Sequence, residues 1–221
     1  PLSSSSAASD VYKRQPLPLP GMVHLTNTVL HRRPVPAETA LRVTARAVGL
    51  VPHHAGTAVD VAVTVEGPDP AGGEAVLWEG VSRYLAKGVH LTGLRPERPA
   101  REEFTAPART AEWRLGAGAG RRYADVSGDW NPIHLTGVSA RLFGMKGAIA
   151  HGMLLAARML QGREPAAGGF RWEIEFDAPV VLPGTVAVRY EPADGQGTRV
   201  IGWDGRRGRR HFTGRIAPLA D

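Results

Sequence analysis

An aspartate and a histidine five positions apart, Asp129 and His134, are the side chains of this sequence best placed to do proton chemistry together. They stand in Ser127-Gly128-Asp129-Trp130-Asn131-Pro132-Ile133-His134, where Asn131-Pro132 breaks the backbone between them. Seventeen positions beyond His134, His151-Gly152-Met153-Leu154-Leu155 opens an apolar helical run on a glycine. A carboxylate and an imidazole aimed at one point can take a proton and pass one on, a contribution of about 10²–10⁴-fold. A glycine at a helix start leaves its backbone N–H free in the positive end of the helix dipole and admits a carbonyl close to it. Such a donor stabilises an oxyanion. Acid/base chemistry beside an oxyanion donor is therefore the expectation for residues 123–151.

Other chemistries fit these residues less well. Ser127 is not expected to be a hydrolase nucleophile, because Val126-Ser127-Gly128 lacks the glycine-flanked elbow. His53-His54, His134 and His151 show no established ligand spacing, and with no cysteine in the chain no metal site is expected. His151 reads equally well as a support for the pair or as a structural residue.

Composition narrows the class. The 221 residues carry a net charge of +6, with 43% hydrophobic and 22% charged residues, the fractions of a globular protein long enough for a core. No apolar run approaches the ~20 residues of a membrane span. The absence of cysteine excludes a disulfide framework and a cysteine nucleophile, and a cytoplasmic location is expected. The positive charge is arginine scattered along the chain, with one cluster at Arg206, Arg207, Arg209 and Arg210 between two strand-like runs. That cluster reads as a solvated hairpin loop, with a patch for ligand phosphates or an acidic partner as the alternative. Nucleic-acid binding is not expected.

The elements that must position the pair follow from periodicity. Residues 1–15 stand apart as a non-native or unstructured leader. The first nine lack periodicity and apolar surface and do not have the features of a signal peptide. Asp10-Val11-Tyr12-Lys13-Arg14-Gln15 resembles the translation of a sequencing adapter, so the native protein is expected to extend upstream. Pro16-Leu17-Pro18-Leu19-Pro20-Gly21 is extended. Alternation over residues 40–48 and 57–66, and β-branched and aromatic residues over 75–85, predict three antiparallel strands. No helix is predicted in this half, and a Pro/Arg/Glu-rich stretch over 89–108 reads as a linker.

Beyond the linker, Asn131 is predicted to cap a helix start with Pro132 at its first position. A short helix is predicted over 135–143, ended by Gly144. A second runs over 151–160, with Met153, Leu154, Ala157 and Leu160 on one face, and ends at Gly162. Strands over 170–176, 185–190, 198–203 and 211–216 follow. That order predicts an α+β architecture with a helix packed on a curved antiparallel sheet.

Tyr123-Ala124-Asp125-Val126-Ser127-Gly128-Asp129-Trp130-Asn131-Pro132-Ile133-His134, then Ala140-Arg141-Leu142-Phe143-Gly144, then Ala148-Ile149-Ala150-His151-Gly152-Met153, resembles the MaoC-like dehydratases. These include the (R)-specific enoyl-CoA hydratases and the dehydratase domains of fatty-acid synthases. The resemblance implies a hot-dog fold, an antiparallel sheet wrapped around a helix, twice in tandem. Residues 16–105 would be a degenerate, incomplete, non-catalytic half and residues 106–221 the catalytic one. It implies reversible hydration of a trans-2-enoyl-CoA or enoyl-carrier thioester to the (R)-3-hydroxyacyl thioester. Asp129 would orient and deprotonate a water, His134 would hold it and exchange protons with substrate, and the Gly152 N–H would bond the thioester oxygen. Asn131, Ser127, His151 and Met153 are the candidates for substrate contact; Trp130, Phe143 and Met145 read as core or as lining of an acyl tunnel. Coenzyme A or an acyl carrier enters as substrate, so no cofactor is expected, and a homodimer or a mixed hot-dog assembly is the expected association. The family's usual aspartate two residues after the histidine is here Thr136, to which no role is assigned. The competing readings are an acyl-binding subunit that completes a partner's dehydratase, and a hot-dog thioesterase.

Overall fold

Strict alternation in Phe170–Phe176 sends Trp172 and Ile174 to one face, both buried, and Arg171 and Glu175 to the other, both exposed. The same two-residue period builds nine strands in the computed structural model, which describes residues 22–35, 38–91, 93–100, 103–165, 168–194 and 197–219. The expected leader 1–15 lies outside them. The strands are β1 (Val23–His31), β2 (Arg42–His53), β3 (Gly56–Pro68), β4 (Glu74–Lys87), β5 (Ala111–Leu115), β6 (Phe170–Phe176), β7 (Gly184–Ala193), β8 (Gly197–Asp204) and β9 (Arg209–Pro218). They form one antiparallel sheet in the order β2-β3-β4-β1-β6-β9-β8-β7-β5. Among the described residues three helices, α1 (Ala119–Ser127), α2 (Gly137–Leu142) and α3 (Gly152–Leu160), and a 3₁₀ turn Pro132–His134 all fall between β5 and β6. None of these helices is long and apolar enough to cross a membrane.

The core lies where α3 crosses the second half of the sheet. Leu155, Ala156 and Met159 of α3 pack among Trp113 of β5, Trp172 and Ile174 of β6, Val186 and Val188 of β7, Val200 of β8 and Phe212 of β9. Strand glycines make room for this: a Cβ on Gly214 would run into the Met159 sulfur, and one on Gly202 into the Phe212 ring. The buried stripe of α3 is rotated from the expected one, so that Ala157 faces solvent while Met153, Leu154 and Leu160 flank the core. One face of a single helix meets the sheet, and residues four apart (Leu155 and Met159) mark its centre.

Two strands were not anticipated. β5 precedes the Asp129 segment and β1 follows the stretch 16–21 read as extended chain, both where no strand is predicted. β1 joins the two halves: it pairs with β4 on one edge and with β6 on the other. Across the latter seam Trp172 Nε1–H donates to His31 Nε2 at 3.2 Å, and the His31 ring stacks on Phe170 at 4.3 Å. The predicted helix over 135–143 is shorter, beginning only at Gly137. In the first half no described helix covers β2 to β4, and Val43, Val48 and Leu50 of β2 stand exposed. The arginine cluster lies at the β8–β9 hairpin, with Arg210 gripping Asp177 through two 2.8 Å bonds. Met159→Ala should lower stability by about 2–5 kcal/mol, the usual cost of emptying a fully buried site, read as a lower denaturant midpoint with unchanged slope.

Candidate active site

Short polar side chains at every second position shape the loop after α1. Ser127 Oγ accepts the Asp129 N–H at 3.2 Å, Asp129 Oδ1 accepts the Asn131 N–H at 3.1 Å, and Asn131 Oδ1 accepts the Ile133 N–H at 3.4 Å. Each link is a side chain closing a turn on the backbone two residues on. The same Ser127 hydroxyl donates to the Tyr123 carbonyl at 2.8 Å, tying the loop to α1. Gly128, at φ 73°, makes the left-handed stop of that helix. Ser127 and Asn131, expected to touch substrate, thus have their side chains engaged in the loop's own backbone. Asp129 has one oxygen steadied by that ladder while its side chain stays 54% exposed.

His134 is fixed from the opposite side. Its Nδ1 lies 2.8 Å from the Ile149 carbonyl, which can only accept, so the ring donates there. The Ile149 N–H in turn bonds the Ile133 carbonyl at 3.0 Å. The short stretch 148–150 is itself anchored by Ala150 N–H to the Val180 carbonyl at 2.8 Å and Leu182 N–H to the Ala148 carbonyl at 2.7 Å. Burial pushes the His134 imidazole down to about 4, and the neighbouring His151 adds to that; the Ile149 bond and Asp129 pull weakly the other way. At neutral pH the ring is uncharged, with its proton on Nδ1 and a bare lone pair on Nε2.

His151 closes the cluster. It is 2% exposed, its ring stacks on that of His134 at 3.7 Å, and Tyr123 packs on it at 4.9 Å. Its Nε2 donates to the Asp129 backbone carbonyl at 3.0 Å and lies 3.9 Å from Asp129 Oδ2. Of the two roles left open for it, the geometry favours support of the pair. Asp129, His134 and His151 have ligand atoms within 4.8 Å of one another, so the folded chain assembles a set able to hold a metal ion, which sequence spacing did not suggest. The same three groups suit a shared water.

His151 is also the residue before α3, and Gly152 is that helix's first. A Cβ on Gly152 would sit 2.8 Å from the Phe176 ring, so glycine here is set by contact as well as by access. Met153, in the first turn, meets the buried Asn27 of β1, whose Nδ2–H lies 3.1 Å from its sulfur. Trp130 and Phe143, open between core and tunnel, are exposed at 53% and 41%.

Two supports escaped the sequence reading. Gly120 of α1 packs on the His134 carbonyl so closely that a Cβ would overlap it. Thr136 is the N-cap of α2: its Oγ1 accepts the Ser139 N–H at 3.0 Å and Ser139 Oγ accepts the Thr136 N–H at 3.3 Å. The Thr136–Ser139 spacing could have signalled that cap. Nothing local marks Gly120.

A helix laid on one face of an antiparallel sheet is a hot-dog arrangement. The crystal structure of HtdX from Mycobacterium tuberculosis superposes with a TM-score of 0.79 at 31% identity, covering 97% of this chain and 84% of that one. A family model described as MaoC like domain matches residues 101–202. The chain is 34% identical over 187 residues to 3-hydroxyacyl-thioester dehydratase X of Mycobacterium tuberculosis, 83% of this chain and 62% of the relative. It is 35% identical over 65 residues to the mitochondrial 3-hydroxyacyl-[acyl-carrier-protein] dehydratase of Arabidopsis thaliana, 28% of this chain and 39% of that protein. The chain belongs to the MaoC-like dehydratase family. It spans less than two thirds of the length of these curated relatives.

Gly120→Ala should lower stability by about 1–3 kcal/mol through overpacking, although alanine in a helix interior ordinarily gains about 0.5–1 kcal/mol over glycine; a denaturation midpoint decides the sign. Stability should also fall with acid. Unfolded, the His134 imidazole binds its proton near 6.5, whereas folded it does so only near 4. The unfolded state therefore holds more protons between those values, and stability present above 6.5 is lost as pH falls toward 4. Unfolding at pH 7 and pH 5 should show a smaller acid loss for His134→Gln than for the wild type.

Proposed function

We propose that this chain adds water across the double bond of a 2-enoyl thioester, and removes it in reverse, with Asp129, His134 and Gly152 carrying the reaction. The observation that carries this reading is the bare His134 Nε2, its ring oriented by the Ile149 carbonyl and stacked on the residue that precedes Gly152. A water held by Asp129 and His134 gives up one proton to the pair as its oxygen bonds to the β-carbon. The double-bond electrons move onto the thioester, whose oxygen becomes an oxyanion facing the Gly152 N–H at the positive end of α3. Collapse of that enolate takes a proton back at the α-carbon. One O–H bond and the π bond of the alkene are broken and one C–O and one C–H bond are made, so the sum is water added to the alkene.

The product is proposed as the (R)-3-hydroxyacyl thioester of coenzyme A or an acyl carrier, with no cofactor besides that carrier. Residues 106–221 are proposed as the catalytic unit and 16–105 as its partner half. Both Mycobacterium tuberculosis 3-hydroxyacyl-thioester dehydratase X and the Arabidopsis carrier-protein dehydratase, by their names, act on thioesters of this kind, which supports the reading.

Loss of enoyl absorbance with crotonyl-CoA and longer enoyl-CoA substrates is the test. The wild type should turn over at least one chain length, and Asp129→Asn and His134→Gln should each lower kcat by at least about 10²-fold. Inert wild-type protein, or variants equal to it, would sink the proposal, and release of free thiol would make the chain a thioesterase instead. Because His134 must be neutral to accept a proton, its share of the acid limb of kcat/KM should fall near pH 4; a His134 limb near 6.5 would contradict the assignment.

A further inference from the structure

The half that carries no acid/base pair reaches into this site through β1. Ser82 and Tyr84 of β4 are two residues apart and share a face, and their partners on β1 are Asn27 and His24, which are three apart. Only the register shift between His24 and Thr26 brings that pair to one face, with Leu25 as the extra residue. A bulge of this kind re-aims a side chain. The face is the one covered by the central helix, because Asn27 touches Met153 in the first turn of α3.

The His24 ring is clamped there. It stacks on Tyr84 at 4.5 Å and lies 5.2 Å from Phe176, the ring that packs against Gly152. His24 is therefore one ring removed from the proposed oxyanion donor. Burial pushes its imidazole down to about 4, opposed by a hydrogen bond to the Thr26 backbone and by the charge of Asp129. The Thr26 bond favours the protonated nitrogen, hence the ring donates to that carbonyl. The other nitrogen, Nε2, is buried and has no hydrogen-bond partner. In a neutral ring that atom is an acceptor, and a buried acceptor without a donor calls for an explanation.

Resting on the thioester-dehydratase reading of this site, we propose that His24 is a substrate-binding residue contributed by the N-terminal half. Its Nε2 accepts a hydrogen bond from an O–H or N–H of the bound acyl thioester. An enoyl group has no donor, so the source is either the 3-hydroxyl of the hydrated substrate or a donor of the carrier arm, such as a pantetheine amide N–H. Asp129 and His134 already accept both protons of the reacting water, which therefore has none left for His24.

The test is calorimetric titration of crotonyl-CoA and 3-hydroxybutyryl-CoA into the full chain carrying Asp129→Asn, with His24 intact, His24→Phe or His24→Gln. Phenylalanine keeps a ring for the stack but removes the acceptor together with the donor to Thr26, while glutamine restores an acceptor. His24→Phe should weaken binding about three- to tenfold, the worth of one neutral hydrogen bond, and His24→Gln should recover it. Weakening confined to the hydroxyacyl ligand assigns the 3-hydroxyl; equal weakening of both assigns a donor of the shared carrier arm. Unchanged affinity for both ligands, no recovery with glutamine, or no binding at all would overturn the proposal. Tight binding by a wild type that does not turn over would instead sink only the dehydratase reading.

Discussion

A single hydrogen bond, from His134 Nδ1 to the Ile149 carbonyl, decides what the rest of the site can do. A carbonyl has no proton to give, so the bond fixes which ring nitrogen carries hydrogen and which is left bare. It also fixes where the bare nitrogen points, because Ile149 is held twice over: its N–H bonds Ile133 and the residues beside it are paired to Val180 and Leu182. Gly120 lets α1 close on the back of the same histidine. Burial then keeps the ring neutral, so a group ordinarily half-charged near pH 6.5 is available as a proton acceptor throughout the neutral range. The aspartate is treated differently. It is exposed, and its orientation comes from short turns that its own loop closes.

The second constraint is the seam. β1 belongs by chain order to the first half, yet it is hydrogen-bonded along both edges, and the helix that organises the core meets its Asn27. The first half has no helix among its described residues to bury its own strands, and β2 stays exposed in consequence. What the first half supplies is the part of the sheet beside α3.

Much of the frame was legible because one-sided burial writes a two-residue period into a strand. Phe170–Phe176 shows it without exception and the run behind β3 shows it too, while β-branched and aromatic content places β4 within a few residues. β1 escaped because it is no simple amphipathic strand: Thr26, Asn27 and Thr28 fall in sequence, Asn27 is buried, and a bulge interrupts the alternation. The helix predicted over 135–143 starts later because the Thr136 side chain caps it instead of joining it. Asp129, His134 and Gly152 were readable as residue types around a break and a helix start. His24, Tyr84, Phe176 and Gly120 were not, since their nearness to the site exists only in three dimensions and no local pattern carries it.

The most direct measurement is ¹⁵N NMR of the histidine ring nitrogens, with His134 assigned by comparison with His134→Gln, followed from neutral pH into acid. His134 should show a proton on Nδ1 and a non-protonated Nε2 at neutral pH, changing only as pH approaches about 4. A proton on Nε2 at neutral pH, or titration near 6.5, would contradict the assignment of this histidine as the acceptor that faces the reacting water.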